Sequence, residues 1–247
     1  MKCTLSLLTT MLLSCLGPLC ARAGEPVDLR LVLAADVSRS INDPEFTLQR
    51  KGYAAAITDH RVMEAIHAGR RGAILVAFIE WAGAEEQRTV VDWTRIASDE
   101  DARAFADHLG DAPRSFVGRT AIGSAIDYSF RKFTASGAEA NRKVIDVSGD
   151  GVNNQGISVE GARDAAVEAG ATINGLAIFN KNAAAEGGYL AAHTNPPGGI
   201  DGYYRDNVIG GEGAFVLRIE DFNSFEQAMI RKLVTEISSA SPLGGKG

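Results

Sequence analysis

The sequence predicts an α/β fold, a parallel or mixed sheet covered by helices on both faces. Three observations carry this reading. Continuous apolar runs of strand length recur along the chain, as in strands buried on both sides. Segments with helical apolar spacing separate those runs. The composition is globular, with 45% apolar and 23% charged residues and 27 Gly and 7 Pro among 247. That balance excludes disorder, collagen and coiled coil, and it permits one sizeable core.

Leu29 to Ala35 is apolar apart from Arg30 and reads as the first buried strand. Asn42-Asp43-Pro44 then announces a helix, with Asp43 as cap and Pro44 in the first turn, where an N–H has no helical partner. Phe46, Tyr53, Ile57 and Met63 lie near one helical face, and Gly69 and Gly72 mark the turn after it. Ala73 to Ile79 is the second buried strand, and Thr89 to Trp93 a short edge strand. Ser98 caps a helix over Asp99 to Leu109. Thr120 to Phe133 reads as another, with Ile122, Ile126 and Phe130 four apart.

Val144 to Val147 is the next strand, followed by a helix over Ser158 to Ala169 that Gly170 ends. Thr172 to Phe179 and Phe215 to Ile219 are the last strands. Phe222, Phe225, Met229, Leu233 and Ile237 mark a closing amphipathic helix before a polar, Gly-rich tail over 240–247. Between the last two strands, Asn180 to Gly213 reads as a long irregular connection, rich in Gly and Pro. Such a connection is either functional or a surface insertion.

The first 23 residues stand apart. Lys2 precedes an uncharged apolar run from Thr4 to Leu16, and Ala21-Arg22-Ala23 is a small-x-small cleavage site. This is the pattern of a secretory signal peptide, too short to span a bilayer. Cleavage after Ala23 leaves one domain over 24–239, exported to the periplasm or beyond. It also removes Cys3, Cys15 and Cys20, all the cysteines of the chain. Leu12-Leu13-Ser14-Cys15 offers lipid attachment at Cys15 as the alternative. The net charge of −6 argues against general nucleic-acid binding, which needs a basic surface.

In doubly wound folds, ligands bind outside the carboxyl ends of the strands. The first strand ends in Asp36-Val37-Ser38-Arg39-Ser40, where alternation lets Asp36, Ser38 and Ser40 converge. Thr120 precedes a helix, and Asp150 leaves a strand between Gly149 and Gly151, which allow close backbone approach. These groups offer hydroxyl and carboxylate oxygen with no nearby Cys or His. Such a set suits hard cations, Mg2+ or Ca2+, over Zn2+ or copper.

Rival motifs fail. The segment from Asp146 begins like an EF-hand loop but has Ile157 where a bidentate Glu is needed. Gly118 to Gly123 has P-loop spacing, but Ser124 replaces the lysine. No Gly-x-Ser-x-Gly elbow exists, and His60, His67, His108 and His193 form no zinc-protease set.

Asp36-x-Ser38-x-Ser40, Thr120 and Asp150 together resemble the metal-ion-dependent adhesion site of von Willebrand factor type A domains, over about Val27 to Ser239. The stretches Asp146 to Asn154 and Tyr203 to Gly211 also resemble a bacterial family of secreted A-like domains with no assigned function. The resemblance implies a Rossmann-like, doubly wound, mostly parallel central sheet with one short antiparallel edge strand. It implies that Ser38, Ser40 and Thr120 bind the metal directly, while Asp36 and Asp150 act through water. Mg2+ is the expected ion, with Ca2+ or Mn2+ as substitutes.

It further implies a non-enzymatic domain whose protein partner completes the coordination with an acidic side chain. A metal-dependent hydrolase and a scaffold with an unused site are the alternatives. Tyr203, Tyr204 and Arg205, with Tyr189, are the expected partner-binding residues, being types enriched at interfaces.

Overall fold

The computed structural model describes residues 25–137, 139, 140 and 142–239. The expected signal peptide (1–23), Cys15 and the tail (240–247) lie outside the described residues. Six strands form one sheet: β1 (Leu29–Asp36), β2 (Ile74–Trp81), β3 (Gln87–Ile96), β4 (Lys143–Gly149), β5 (Thr172–Ile178) and β6 (Val216–Ile219). Their order is β3-β2-β1-β4-β5-β6, and every neighbouring pair is parallel except β2 with β3. The expected mostly parallel sheet with an antiparallel edge strand is therefore present.

The helices are α1 (Asp43–Thr58), α2 (His60–His67), α3 (Asp99–Asp111), α4 (Ile122–Ala135), α5 (Val159–Glu168), α6 (Lys181–Glu186), α7 (Gly188–Thr194), α8 (Gly199–Tyr203) and α9 (Phe225–Ser238). A π-helical turn, Tyr204–Val208, follows α8 directly.

All eight positions of β1 and of β2 are buried, which is why both read as mostly apolar runs. Alternate residues serve different cores. Leu29, Leu31 and Leu33 pack with Tyr53 and Ile57 of α1, Phe105 of α3 and Met229 and Leu233 of α9. Val32 and Ala34 face the other way, onto Ile122 and Ile126 of α4, Val159 of α5, and Ile200 and Tyr204. Full burial of each such Leu or Ile contributes about 1.5–3 kcal/mol. The strand order reverses between β1 and β4, so a crevice opens at the carboxyl ends of those two strands.

Several details correct the sequence reading. The cap of α1 is Asn42, one residue earlier than expected. Its side chain accepts from Glu45 N at 3.0 Å, and the Glu45 carboxylate accepts from Asn42 N at 2.9 Å. The expected single helix beyond it is two, because Asp59 is extended (φ −67°, ψ 135°) and caps α2. β3 runs ten residues, well beyond Thr89 to Trp93. Arg88, Asp92 and Arg95 interrupt its apolar pattern, since an edge strand pairs its backbone while charged side chains meet water. The segment over 180–213 is not irregular. It folds into α6, α7, α8 and the π-helical turn, and it sinks Ile200, Tyr204 and Val208 into the core.

A buried charge cluster lies beneath the sheet. Lys232 of α9 is 1% exposed, and its Nζ stands 2.8 Å from Asp146 Oδ1 of β4 and 2.5 Å from Glu236 Oε1. Asn174 Nδ2 donates to the same Glu236 oxygen at 2.8 Å. Burial, followed by the nearby Glu236 charge, pushes the Asp146 carboxyl up to about 7.

Candidate functional site

β1 ends at Asp36, which folds the chain into a turn by accepting from Ser38 N at 2.7 Å. The turn closes with Ile41 N donating to Ser38 O at 3.1 Å. Arg114, from the segment between α3 and α4, holds it from outside. Its Nη2 donates to the carbonyls of Val37, Ser38 and Ile41 at 2.9, 3.0 and 2.8 Å. From below, Gln49 Nε2 of α1 donates to Asp36 O at 3.1 Å.

All five expected site residues come together. Ser38 Oγ and Ser40 Oγ are 3.2 Å apart, and Thr120 Oγ1 donates to Ser38 Oγ at 3.3 Å. Ser40 Oγ donates to Asp150 Oδ1 at 2.6 Å, which joins the β1 exit to the β4 exit. Asp36, Ser38, Thr120 and Asp150 are buried, and Ser40 is half-buried. Thr120 is fixed by Asn154, whose Oδ1 accepts from Thr120 N at 2.9 Å and whose N donates to Thr120 O at 2.9 Å.

The glycines beside Asp150 work as expected. A Cβ on Gly149 would lie 2.5 Å from Tyr204 Oη and 2.9 Å from Asp36 Oδ2, and one on Gly151 would overlap the His193 ring.

The sequence reading missed two direct neighbours. Asn180, at the β5 exit, donates from Nδ2 to Asp150 Oδ2 at 2.7 Å and to Ser40 O at 3.0 Å. The strand-end rule that found Asp36 applies to it equally. The expectation of no histidine near the site is also overturned. His193 of α7 is 5% exposed, and its Nε2 lies 3.0 Å from Thr120 Oγ1. Burial lowers its pKa and keeps the ring neutral. The available signal was the Tyr189/His193 spacing of four, since the two rings stack 5.7 Å apart on α7.

The partner-surface expectation needs correction at Tyr204, which is fully buried. Tyr203 is half-buried, and its Oη accepts from Asn153 N at 3.1 Å. Arg205 remains exposed and pairs with Asp201 at 3.2 Å. Tyr189 is 67% exposed.

Charge sets what the cluster can hold. Burial first, then the neighbouring Asp150, raises the Asp36 carboxyl to about 8, against the pull of Ser38 N–H. Burial raises Asp150 to about 6, opposed by its hydrogen bonds from Ser40 and Asn180. Asp36 Oδ2 and Tyr204 Oη are buried without hydrogen-bond partners. Two desolvated acids among hydroxyls fit a divalent cation, whose charge would offset their mutual repulsion. Among the described residues no three His, Cys, Asp or Glu side chains converge as a metal cluster, so the site offers mainly hydroxyl oxygen.

The sheet topology is that of a von Willebrand factor type A-like fold. The chain itself belongs to a family described as "Protein of unknown function (DUF1194)", whose pattern matches residues 26–241. A search of curated proteins finds no match.

Solved structures share the fold. Proximal thread matrix protein 1 from the mussel byssus, with a zinc-occupied MIDAS motif, has TM-score 0.59 and 15% identity over 86% of this chain and 48% of that one. The pilus adhesin SpaC from Lactobacillus rhamnosus GG has TM-score 0.59 and 14% identity, covering 85% and 30%. A von Willebrand factor type A protein from Catenulispora acidiphila has TM-score 0.53 and 15% identity, covering 86% and 43%. This chain thus spans half or less of the length of these three. No helix among the described residues is long and apolar enough to cross a membrane.

Proposed function

We propose that the chain is a non-enzymatic, divalent-metal-dependent protein-binding domain, exported from the cell. One observation carries the reading. Oxygen-bearing side chains from three separate segments form one connected cluster at the switch point, with Asp36 Oδ2 buried and unpartnered.

Ser38, Ser40 and Thr120 supply direct ligands, and Asp36 and Asp150 orient metal-bound waters. Mg2+ is the ion proposed, with Ca2+ or Mn2+ as substitutes. Neutral hydroxyls leave it electrophilic, so an Asp or Glu of the partner completes its coordination. Asp36 Oδ1 and both Asp150 oxygens are engaged inside the cluster, which suits them to orient metal-bound waters. The zinc-occupied motif of the mussel protein and the adhesive role in the SpaC description support the reading.

Affinity capture from periplasmic extract tests it, run in parallel with Mg2+ and with EDTA. A protein retained with the metal and released by EDTA is the expected result. Identical capture in both arms contradicts the reading.

A further inference from the structure

We propose that His193 is a nitrogen ligand of this same site, and that it extends the site from Mg2+ to borderline ions such as Zn2+. The inference rests on the metal-binding reading above and adds a residue that the Asp-Ser-Ser-Thr-Asp pattern does not contain.

The first argument is spacing. Ser40, Ser38, Thr120 and His193 present a continuous series of donor atoms, separated by 3.2, 3.3 and 3.0 Å. Donors held about 2.1 Å from one ion stand about 3.0 Å apart at right angles and about 3.4 Å apart in a tetrahedron. All three separations fall within that range. The same groups form a hydrogen-bond chain with one another.

The second argument is how the ring is held. Its Nε2 is aimed at Thr120, 3.0 Å from Oγ1. Val152 N donates to His193 O at 3.0 Å and ties α7 to the Asp150 loop. Asn154, which fixes Thr120 through its backbone, donates from Nδ2 to Tyr189 Oη at 3.0 Å. Tyr189 in turn stacks on the His193 ring at an interplanar angle of 7°. One residue thus positions both the Thr120 hydroxyl and the imidazole. Gly151 leaves the room the ring occupies.

The third argument is ligand chemistry. Mg2+ demands oxygen and holds its waters, whereas neutral imidazole suits Zn2+ and its borderline neighbours. A nitrogen donor changes the metal preference of an otherwise all-oxygen site.

Titration calorimetry with Zn2+ and with Mg2+ on tag-free wild type and His193→Ala tests this, with circular dichroism as the folding control. His193→Gln replaces the alanine variant if that one fails to fold. Wild type should bind both ions. The variant should lose on the order of 100-fold in Zn2+ affinity and a smaller factor in Mg2+ affinity, since losing the ring also frees the Thr120 hydroxyl. Zinc should also shift the His193 Nε2 resonance in nitrogen-15 spectra. Equal Zn2+ affinity in the two proteins, with that resonance unmoved, overturns the role of His193 alone. Binding of neither ion by wild type overturns the metal reading of the whole site, and this inference with it.

Discussion

Replacing Lys232 with methionine tests whether the buried charge cluster is a true ion network. Met fills a similar volume but removes the only ammonium in contact with Asp146 Oδ1 and Glu236 Oε1 among the described residues, at 2.8 and 2.5 Å. Both carboxylates are fully or almost fully buried, so water cannot take over. Breaking a buried pair in this way costs about 3–5 kcal/mol. Domains of this size are stable by about 5–15 kcal/mol, so the loss is a large fraction of the total. With about 2–4 °C per kcal/mol, the thermal midpoint should fall by about 6–20 °C.

The deficit should also depend on pH. The Asp146 carboxyl is already raised to about 7 by burial and Glu236, and losing the lysine raises it further. A carboxyl whose folded pKa exceeds its unfolded value binds more protons when folded. Its contribution is therefore complete in acid and is lost as pH climbs towards the folded pKa. Urea denaturation of Lys232→Met should show a small deficit near pH 5 and the full deficit at pH 8. Adding Asp146→Asn and Glu236→Gln should recover most of it. A pH-independent deficit below about 1 kcal/mol would refute the reasoning.

Three further outcomes are expected. Asp36→Ala should lower Mg2+ affinity by about 10- to 100-fold, by calorimetry, while circular dichroism stays unchanged, because the residue orients waters at a strand end. Gly149→Ala should cost about 1–3 kcal/mol in chemical denaturation, because its methyl meets Tyr204 Oη and Asp36 Oδ2, and it should weaken metal binding as well; an unchanged midpoint rejects the clash. N-terminal sequencing of exported protein should begin at Gly24, whereas a lipid-bearing start at Cys15 rejects cleavage after Ala23.

What the sequence made legible follows from burial. β1 and β2 are covered on both faces and read as apolar runs broken only by Arg30 and Glu80, whereas β4 and β5 carry Asp146 and Asn174 inside mostly apolar strands. The polar end of β1 located Asp36, and with it Ser38 and Ser40, while Asp150 was visible from its place between Gly149 and Gly151. The α7 helix stayed hidden because seven residues between Gly187 and Asn195 give less than two full turns of periodicity. His193 was hidden with it.

The Asn42 cap was readable in principle, since Glu45 stands three residues on and completes the reciprocal pair. The Lys232 cluster was not readable at all. Nothing local in β4 says that Asp146 meets a lysine 86 positions later on α9. Tyr204 misled by residue type, because tyrosines are common both at interfaces and in cores, and only the fold of the 180–213 segment decides between them.

Arg114 has a consequence for how the cluster handles an ion. Its guanidinium binds three carbonyls of the Asp36–Ile41 turn from a segment that continues directly into Thr120. Two arms of the site, distant in sequence, are therefore clamped as one stiff piece before any ion arrives. Fixing a free backbone costs about 1–2 kcal/mol per residue, and a turn frozen by folding does not incur that cost again on binding. Preorganisation of this kind compensates for weak neutral donors. The hydroxyls then need not be drawn into place, and the modest attraction they offer would go almost wholly into holding a bound metal.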